Sequence, residues 1–237
     1  MALAQRQMRL TAELVARVAR PVEDPGEGFD PAIVWCTDAD REEAVARVMA
    51  TRPAGNEVWL FAYGSLIWNP AFESIERRIG VIHGWHRAFC LGWIRRFRGS
   101  PQNPGLMMAL DRGGEAAGAA YLLTPEKLDA SLVTLFQREM RIKPEPMLPV
   151  WARIETAAGP ITALTFVMDS TSPVYVGGLS AERIADVLAM AVGPIGSMAD
   201  YLYRTVRALE DLGIDDAYLW QLQEMVAERI EAANPPP

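Results

Sequence analysis

From Glu57 to Tyr63 the chain reads Glu-Val-Trp-Leu-Phe-Ala-Tyr, and Gly64-Ser65 follows. A continuous apolar run of this length, closed by a glycine, predicts a strand buried on both faces. Strand-like patterning recurs at residues 79–93, 105–111, 117–123, 150–157 and 161–169. Gly113-Gly114 separates two of these runs and Gly159-Pro160 two others, so hairpin turns are expected at both. Elsewhere the period lengthens. Residues 2–20 place Leu3, Leu10, Leu14, Val15 and Val18 at three- and four-residue steps until Pro21 stops the pattern. A second helix is expected from Asp40 to Ala50. Thr124 is an N-cap candidate with Pro125 at the first helical position, and Leu128, Leu132, Leu135, Phe136 and Met140 form the apolar stripe behind them. The last third is helical again over Ser180–Val192, Ser197–Leu212 and Ile214–Ala233, with Gly193-Pro194-Ile195-Gly196 as a break. The closing Pro235-Pro236-Pro237 is expected to be disordered.

Residues 21–31 hold three prolines, two glycines and four acids, which reads as a surface linker. The first 56 residues are therefore expected to be a helical extension and linker, and residues 57–233 the main domain. Strands that pair through hairpins, with helices inserted and appended, indicate an α+β fold.

Composition narrows the classes of function. The chain has 237 residues and a formal charge of −7, which argues against nucleic acid as a main partner. No apolar run is long enough to span a membrane, and the arginine-dotted N-terminus lacks the apolar core of a secretory signal. Cys36 and Cys90 make no disulfide framework, so a reduced cytoplasmic protein is the simplest reading. The two cysteines and two histidines show no CxxC, HExxH or other ligand spacing, so no metal is expected.

Glu139 is the most informative position. On a helix it falls about 20° from Leu128 and Leu132 and about 40° from Leu135, in the middle of the apolar stripe. Such a setting raises a carboxylate's pKa and suits general acid–base work. The alternative is a helix-end ion pair with Arg138, Arg141 or Lys143, and periodicity alone favours it. Tyr63-Gly64-Ser65-Leu66 is the second feature. Successive amides in such a turn can cradle an anion, although the order is not that of a nucleophile elbow. His83 and His86, three apart in a strand, are read as packing residues, as are Cys90 and the Met107-Met108 pair. Arg95, Arg96 and Arg98 could meet an acidic group, but a solvated loop is the safer reading.

Several stretches in order resemble the ChaC-type γ-glutamylcyclotransferases, in particular the longer bacterial forms. They are Val58 to Pro70, Gly84 to Leu91, Pro104-Gly105, Gly118 to Tyr121, Arg138-Glu139-Met140, Leu148 to Trp151, Gly193 to Gly196 and Tyr201-Leu202. The resemblance implies a γ-glutamylcyclotransferase-like mixed β-barrel or sheet with helices around it and an N-terminal helical extension. It implies cleavage of reduced glutathione to 5-oxoproline and Cys-Gly, with no cofactor and a small-molecule substrate as the partner. Glu139 would then be the catalytic acid–base. Leu60, Phe61, Ala62, Tyr63, Gly64, Ser65 and Leu66 would hold the γ-glutamyl group, with Tyr201 as a further pocket residue. The chain departs from the family's pattern at Ala62, Leu106 and Met198. It departs again at Arg141 to Met147, a loop about two residues longer that lacks a tyrosine. Another γ-glutamyl peptide as substrate, a non-catalytic γ-glutamyl-binding protein, and an interaction protein docking through its N-terminal helices are the competing readings.

Overall fold

Residues 7–55 and 57–233 are described by a computed structural model, in which the apolar run after residue 57 forms the strand its composition predicts. The expected start of the first helix, with Leu3, and the closing prolines lie outside the described residues. The elements in chain order are α1 (Ala12–Val18), β1 (Val34–Trp35), α2 (Asp38–Ala50), β2 (Trp59–Ala62), α3 (Ser65–Trp68), β3 (Ser74–Ile94), β4 (Gly105–Leu123) and α4 (Leu128–Glu139). They continue with β5 (Ile142–Lys143), β6 (Met147–Thr156), β7 (Ile161–Met168), α5 (Ala181–Met190), β8 (Val192–Gly193), β9 (Gly196–Ser197), α6 (Met198–Asp211) and α7 (Ala217–Ala233).

Two compact units are built from these elements. The first comprises residues 25–91 and 107–177 and holds a closed barrel of strand order β2-β4-β3-β6-β7. β2 is buried along its whole length and is hydrogen-bonded to a neighbouring strand along both edges. It pairs antiparallel with β4 (Trp59 opposite Leu122, Ala62 opposite Ala119) and parallel with β7 (Trp59 opposite Ala163). β6 and β7 form the expected hairpin, in which the Gly159 amide closes the turn onto the Thr156 carbonyl at 3.0 Å. α4 packs its stripe inward: Leu132, Leu135 and Phe136 are buried, and the Phe136 ring meets Phe166 edge-on at 5.4 Å.

The second unit comprises the described residues up to 24, residues 92–106 and those from 178 onward. It is mainly helical, with α5, α6 and α7 as its long elements. Ser180 and Ser197 cap α5 and α6, accepting hydrogen bonds from the amides of Arg183 and Asp200. The first 56 residues are shared between the units, α1 falling in the helical one and α2 in the barrel one.

Four local expectations are corrected. Gly113-Gly114 is not a hairpin turn, because β4 runs on through both glycines at φ +95° and +64°. Glycine tolerates that backbone, so the pair bends a strand instead of reversing it. The chain reverses at residues 95–104, between β3 and β4. Pro125 opens a 3₁₀ turn ahead of α4, and the Thr124 side chain makes no capping hydrogen bond. The first helix begins at Ala12 because Thr11 caps it there, while the Leu10 amide donates to Gln223 Oε1 at 2.8 Å. Arg98 is buried and not on a solvated loop, since its guanidinium donates to the Ser197 carbonyl and to Asp200 at 2.7 and 3.0 Å.

Candidate active site

Where β2 ends, the chain turns through Tyr63 and Gly64 straight into α3. The Ile67 amide donates to the Gly64 carbonyl at 2.9 Å and the Asn69 amide to the Ser65 carbonyl at 2.8 Å, so the loop is wound into one helical turn. Three residues from other strands fix it. Thr165 on β7 donates its hydroxyl to the Phe61 carbonyl at 3.1 Å. Arg87 on β3, 4% exposed, donates Nε to the Tyr63 carbonyl at 2.7 Å and Nη2 to the Ala117 carbonyl. Gly118 on β4 lies so close that a Cβ there would come within 2.5 Å of the Ala62 carbonyl and 2.7 Å of the Phe61 ring.

Glu139 is the last residue of α4, and its side chain keeps 21% of its surface exposed. Burial pushes its carboxyl above the ordinary glutamate value, and the nearby cations Arg138 and Arg141 oppose the rise. The C-terminal end of a helix is also the negative end of its dipole, which acts in the same direction as burial. Arg138 connects this carboxylate to the β2–α3 loop. Its Nε lies 3.4 Å from Glu139 Oε1, its Nη2 donates to Ser65 Oγ at 2.8 Å, and its Nη1 donates to the Asn69 carbonyl. The ion pair offered as an alternative reading of Glu139 is therefore present. It coexists with the raised pKa.

Of the residues singled out in sequence, Ser65 and Glu139 are thus joined through one guanidinium. Leu60, Phe61, Ala62 and Leu66 are buried, and Tyr63 is 9% exposed, so what this loop can offer a ligand is chiefly its backbone and the Ser65 hydroxyl. Tyr201 sits on α6 in the helical unit, buried, with the Arg98 guanidinium 5.5 Å from its ring. Cys90 is buried, and burial pushes its thiol up to about 12, which disfavours the thiolate a nucleophile needs. His83 and His86 go separate ways, to Glu115 at 3.1 Å and to the Gly113 carbonyl at 3.0 Å. Among the described residues no cluster of His, Cys, Asp and Glu could hold a metal ion. Nor is any helix among them long and apolar enough to cross a membrane.

Arg87 was missed in sequence as a loop support. Its one signal was a cation next to the apolar run Ala88-Phe89-Cys90-Leu91 in a strand. Arg138 was seen only as a possible partner of Glu139, since its reach to Ser65 and Asn69 spans about 70 residues of sequence.

The family described as ChaC-like protein matches residues 58–229. The chain is 39% identical over 189 residues to the glutathione-specific gamma-glutamylcyclotransferase of Escherichia coli (strain K12), covering 79% of this chain and 80% of that one. It is 31% identical to gamma-glutamylcyclotransferase 2-1 of Arabidopsis thaliana, covering 73% and 84%. The crystal structure of a yeast gamma-glutamyl cyclotransferase specific to glutathione superposes with a TM-score of 0.65 at 21% identity, over 73% of this chain and 97% of that one. That likeness bears out the expected α+β barrel fold with surrounding helices. With the family matched from β2 into α7 and a relative of that identity over most of both chains, this protein belongs to the ChaC-like family.

Proposed function

We propose that this protein cleaves reduced glutathione, closing its γ-glutamyl group to 5-oxoproline and releasing Cys-Gly, with Glu139 as the single proton-transfer residue. The observation that carries the reading is the raised, partly buried carboxyl of Glu139, joined through Arg138 to the loop at the end of β2. Its support in relatives is the glutathione-specific name borne by the Escherichia coli protein.

The reaction is an intramolecular acyl transfer. The substrate's α-amine attacks its own γ-carbonyl carbon, a C–N bond closes the five-membered lactam, and the C–N bond to the cysteine nitrogen breaks. Because the nucleophile is tethered, holding the γ-glutamyl chain folded supplies much of the acceleration. The α-ammonium first loses one proton to solvent to become a nucleophile. Glu139 takes the second as the C–N bond closes and gives it to the departing cysteine nitrogen, and the released amine regains a proton from solvent, so the two protons lost by one nitrogen match the two gained by the other. A carboxyl raised above its ordinary value is a stronger base in the first step, and it holds more firmly the proton it carries to the second. Backbone amides around Gly64 and Ser65 face the γ-glutamyl group or the developing oxyanion, and the Ser65 hydroxyl is held in place by Arg138. Leu60 to Leu66 hold the γ-glutamyl group chiefly through their backbone, since their apolar side chains are buried. We place the protein in a reducing cytoplasm, where the unpaired Cys36 and Cys90 and a thiol substrate are both stable.

The test is 5-oxoproline release from reduced glutathione by the purified protein and by Glu139→Gln. The wild type is expected to turn over, and the isosteric variant to lose about a hundredfold or more, as for a general acid–base residue. Equal activity in the two proteins overturns the role of Glu139, and inactivity of both overturns the proposed function.

A further inference from the structure

The four residues that follow Glu139 are all held by one short segment, residues 34–41. Arg41 Nε donates to the Met140 carbonyl at 3.1 Å. The Cys36 amide donates to the Arg141 carbonyl at 3.0 Å. Trp35 and Val34 on β1 pair antiparallel with Ile142 and Lys143 on β5. The Lys143 ammonium lies 2.7 Å from Asp40 Oδ1.

The segment is itself anchored. Asp40 closes a capping box on Thr37, its Oδ2 accepting from the Thr37 amide at 2.7 Å and the Thr37 hydroxyl at 2.6 Å. Arg41 is braced by Asp38 at 2.8 Å. The Trp35 indole donates to the Glu27 carbonyl at 2.7 Å, and Cys36 is 6% exposed. α2 then packs on through Ala44 and Val48, with the Trp151 indole donating to the Val48 carbonyl at 2.9 Å.

This arrangement matters because of where Glu139 stands. The last turn of a helix has carbonyls without intrahelical partners, so its position depends in part on contacts from outside the helix. Arg138 ties the upstream side of Glu139 to the β2–α3 loop. The downstream side is held by the contacts from residues 34–41, by the Met140 amide, which donates to the Phe136 carbonyl at 2.9 Å, and by the Arg141 side chain, which donates to the Arg138 carbonyl at 3.1 Å. A proton-transfer group must lie within hydrogen-bond reach of its substrate, and a misplacement of about 1 Å costs on the order of a hundredfold in rate.

We infer that residues 34–41 are a clamp that positions Glu139 for the cyclisation, with Arg41 and the Asp40–Lys143 pair as its positioning residues. The clamp makes the segment before the barrel part of the catalytic apparatus while leaving capture of the γ-glutamyl group to the loop at the end of β2. The inference rests on the proposed role of Glu139.

The experiment compares the full-length wild type, Glu139→Gln, Arg41→Ala, Arg41→Lys, Lys143→Ala and Arg47→Ala, reading kcat and KM for glutathione beside the melting temperature. Arg47 shares α2 with Arg41 but points outward to Glu43 and serves as the control. Arg41→Ala is expected to lower kcat roughly ten- to a hundredfold. Its KM is expected to stay within about threefold, the pattern of a contact that serves the transition state and not substrate binding. Arg41→Lys restores most of the loss, since an ammonium can still donate to the Met140 carbonyl. Lys143→Ala lowers kcat in the same sense, and Arg47→Ala leaves it unchanged. Should Arg41→Ala fail to fold, Lys143→Ala reads the same clamp from a partly exposed position. Wild-type kcat in both Arg41→Ala and Lys143→Ala overturns the clamp, as does a loss that follows the fraction of unfolded protein and is not restored by lysine. Those results come with an active wild type and an inactive Glu139→Gln. An inactive wild type, or a fully active Glu139→Gln, instead overturns the catalytic reading and the clamp with it.

Discussion

Glu139 is pulled two ways, towards neutrality by burial and the helix end and towards charge by two arginines, and burial prevails. That has a consequence for stability. A group that holds its proton more tightly in the folded state than in the unfolded chain makes the fold less stable as pH rises through its folded pKa. The penalty is absent below the ordinary glutamate value of 4.5 and fully present above the raised folded value. Glu139→Gln is therefore expected to melt higher than the wild type at pH 7, with the gap closing as pH falls towards 4; a gap independent of pH would show that the carboxyl is not raised. Arg138 supplies a second expectation. Arg138→Leu removes one of the cations that hold Glu139 down, so the acid limb of kcat/KM moves to higher pH. Arg138→Lys keeps the charge and loses the forked donation to Ser65 and Asn69, so the limb stays while turnover falls. The carboxylate was legible in sequence because it interrupts an apolar stripe. Arg87 and Arg98 were not, because each is paid for by carbonyls or a carboxylate that sequence distance hides: Tyr63 and Ala117 for the one, Ser197 and Asp200 for the other.

At the scale of elements, the strands were legible wherever burial made them continuously apolar. β2 is the clearest case, and β6, β7 and α4 follow their periodicity to within a few residues. What the pattern could not convey is that a glycine pair can bend a strand as well as end it, which is why β4 was read as two strands. Gly118 shows the other use of glycine in the same strand, close approach. Gly118→Ala would push a methyl group into the Ala62 carbonyl and the Phe61 ring, and a carbonyl held in a paired strand has no rotamer to escape into. Overpacking of this kind costs about 1–3 kcal/mol, and the backbone clash places this case towards the upper end. Chemical denaturation is expected to show a lower midpoint. Because the displaced atoms lead directly into Tyr63-Gly64-Ser65, 5-oxoproline release is expected to fall further than the loss of folded protein explains. An alanine variant with wild-type midpoint and turnover would mean that β4 does not set the position of the loop.

Taken as a whole, the molecule divides in a way that a reading along the chain does not anticipate, because each compact unit is assembled from separated stretches. Residues 34–50 share a unit with the barrel, burying Cys36, Ala44 and Val48 and pairing β1 with β5. Leu10 and Leu14 are buried in the helical unit, where the Leu10 amide satisfies Gln223 Oε1 and Arg9 reaches Glu228 and Glu231 on α7. Removing residues 1–56 therefore takes apolar side chains out of both cores and leaves Gln223, wholly buried, without its acceptor's partner. Each buried leucine or valine is worth about 1.5–3 kcal/mol, so Leu10, Leu14 and Val48 together approach the roughly 5–15 kcal/mol by which a domain is stable. The fragment 57–233 is thus expected to lack a cooperative thermal transition and to bind a hydrophobic dye, in contrast to the full chain. Cooperative melting of the fragment within a few degrees of the full chain would show that the barrel and helices hold together without the preceding segment. In that event its contacts around Met140 to Lys143 would bear on the position of Glu139 alone, and turnover of the folded fragment would measure their worth directly.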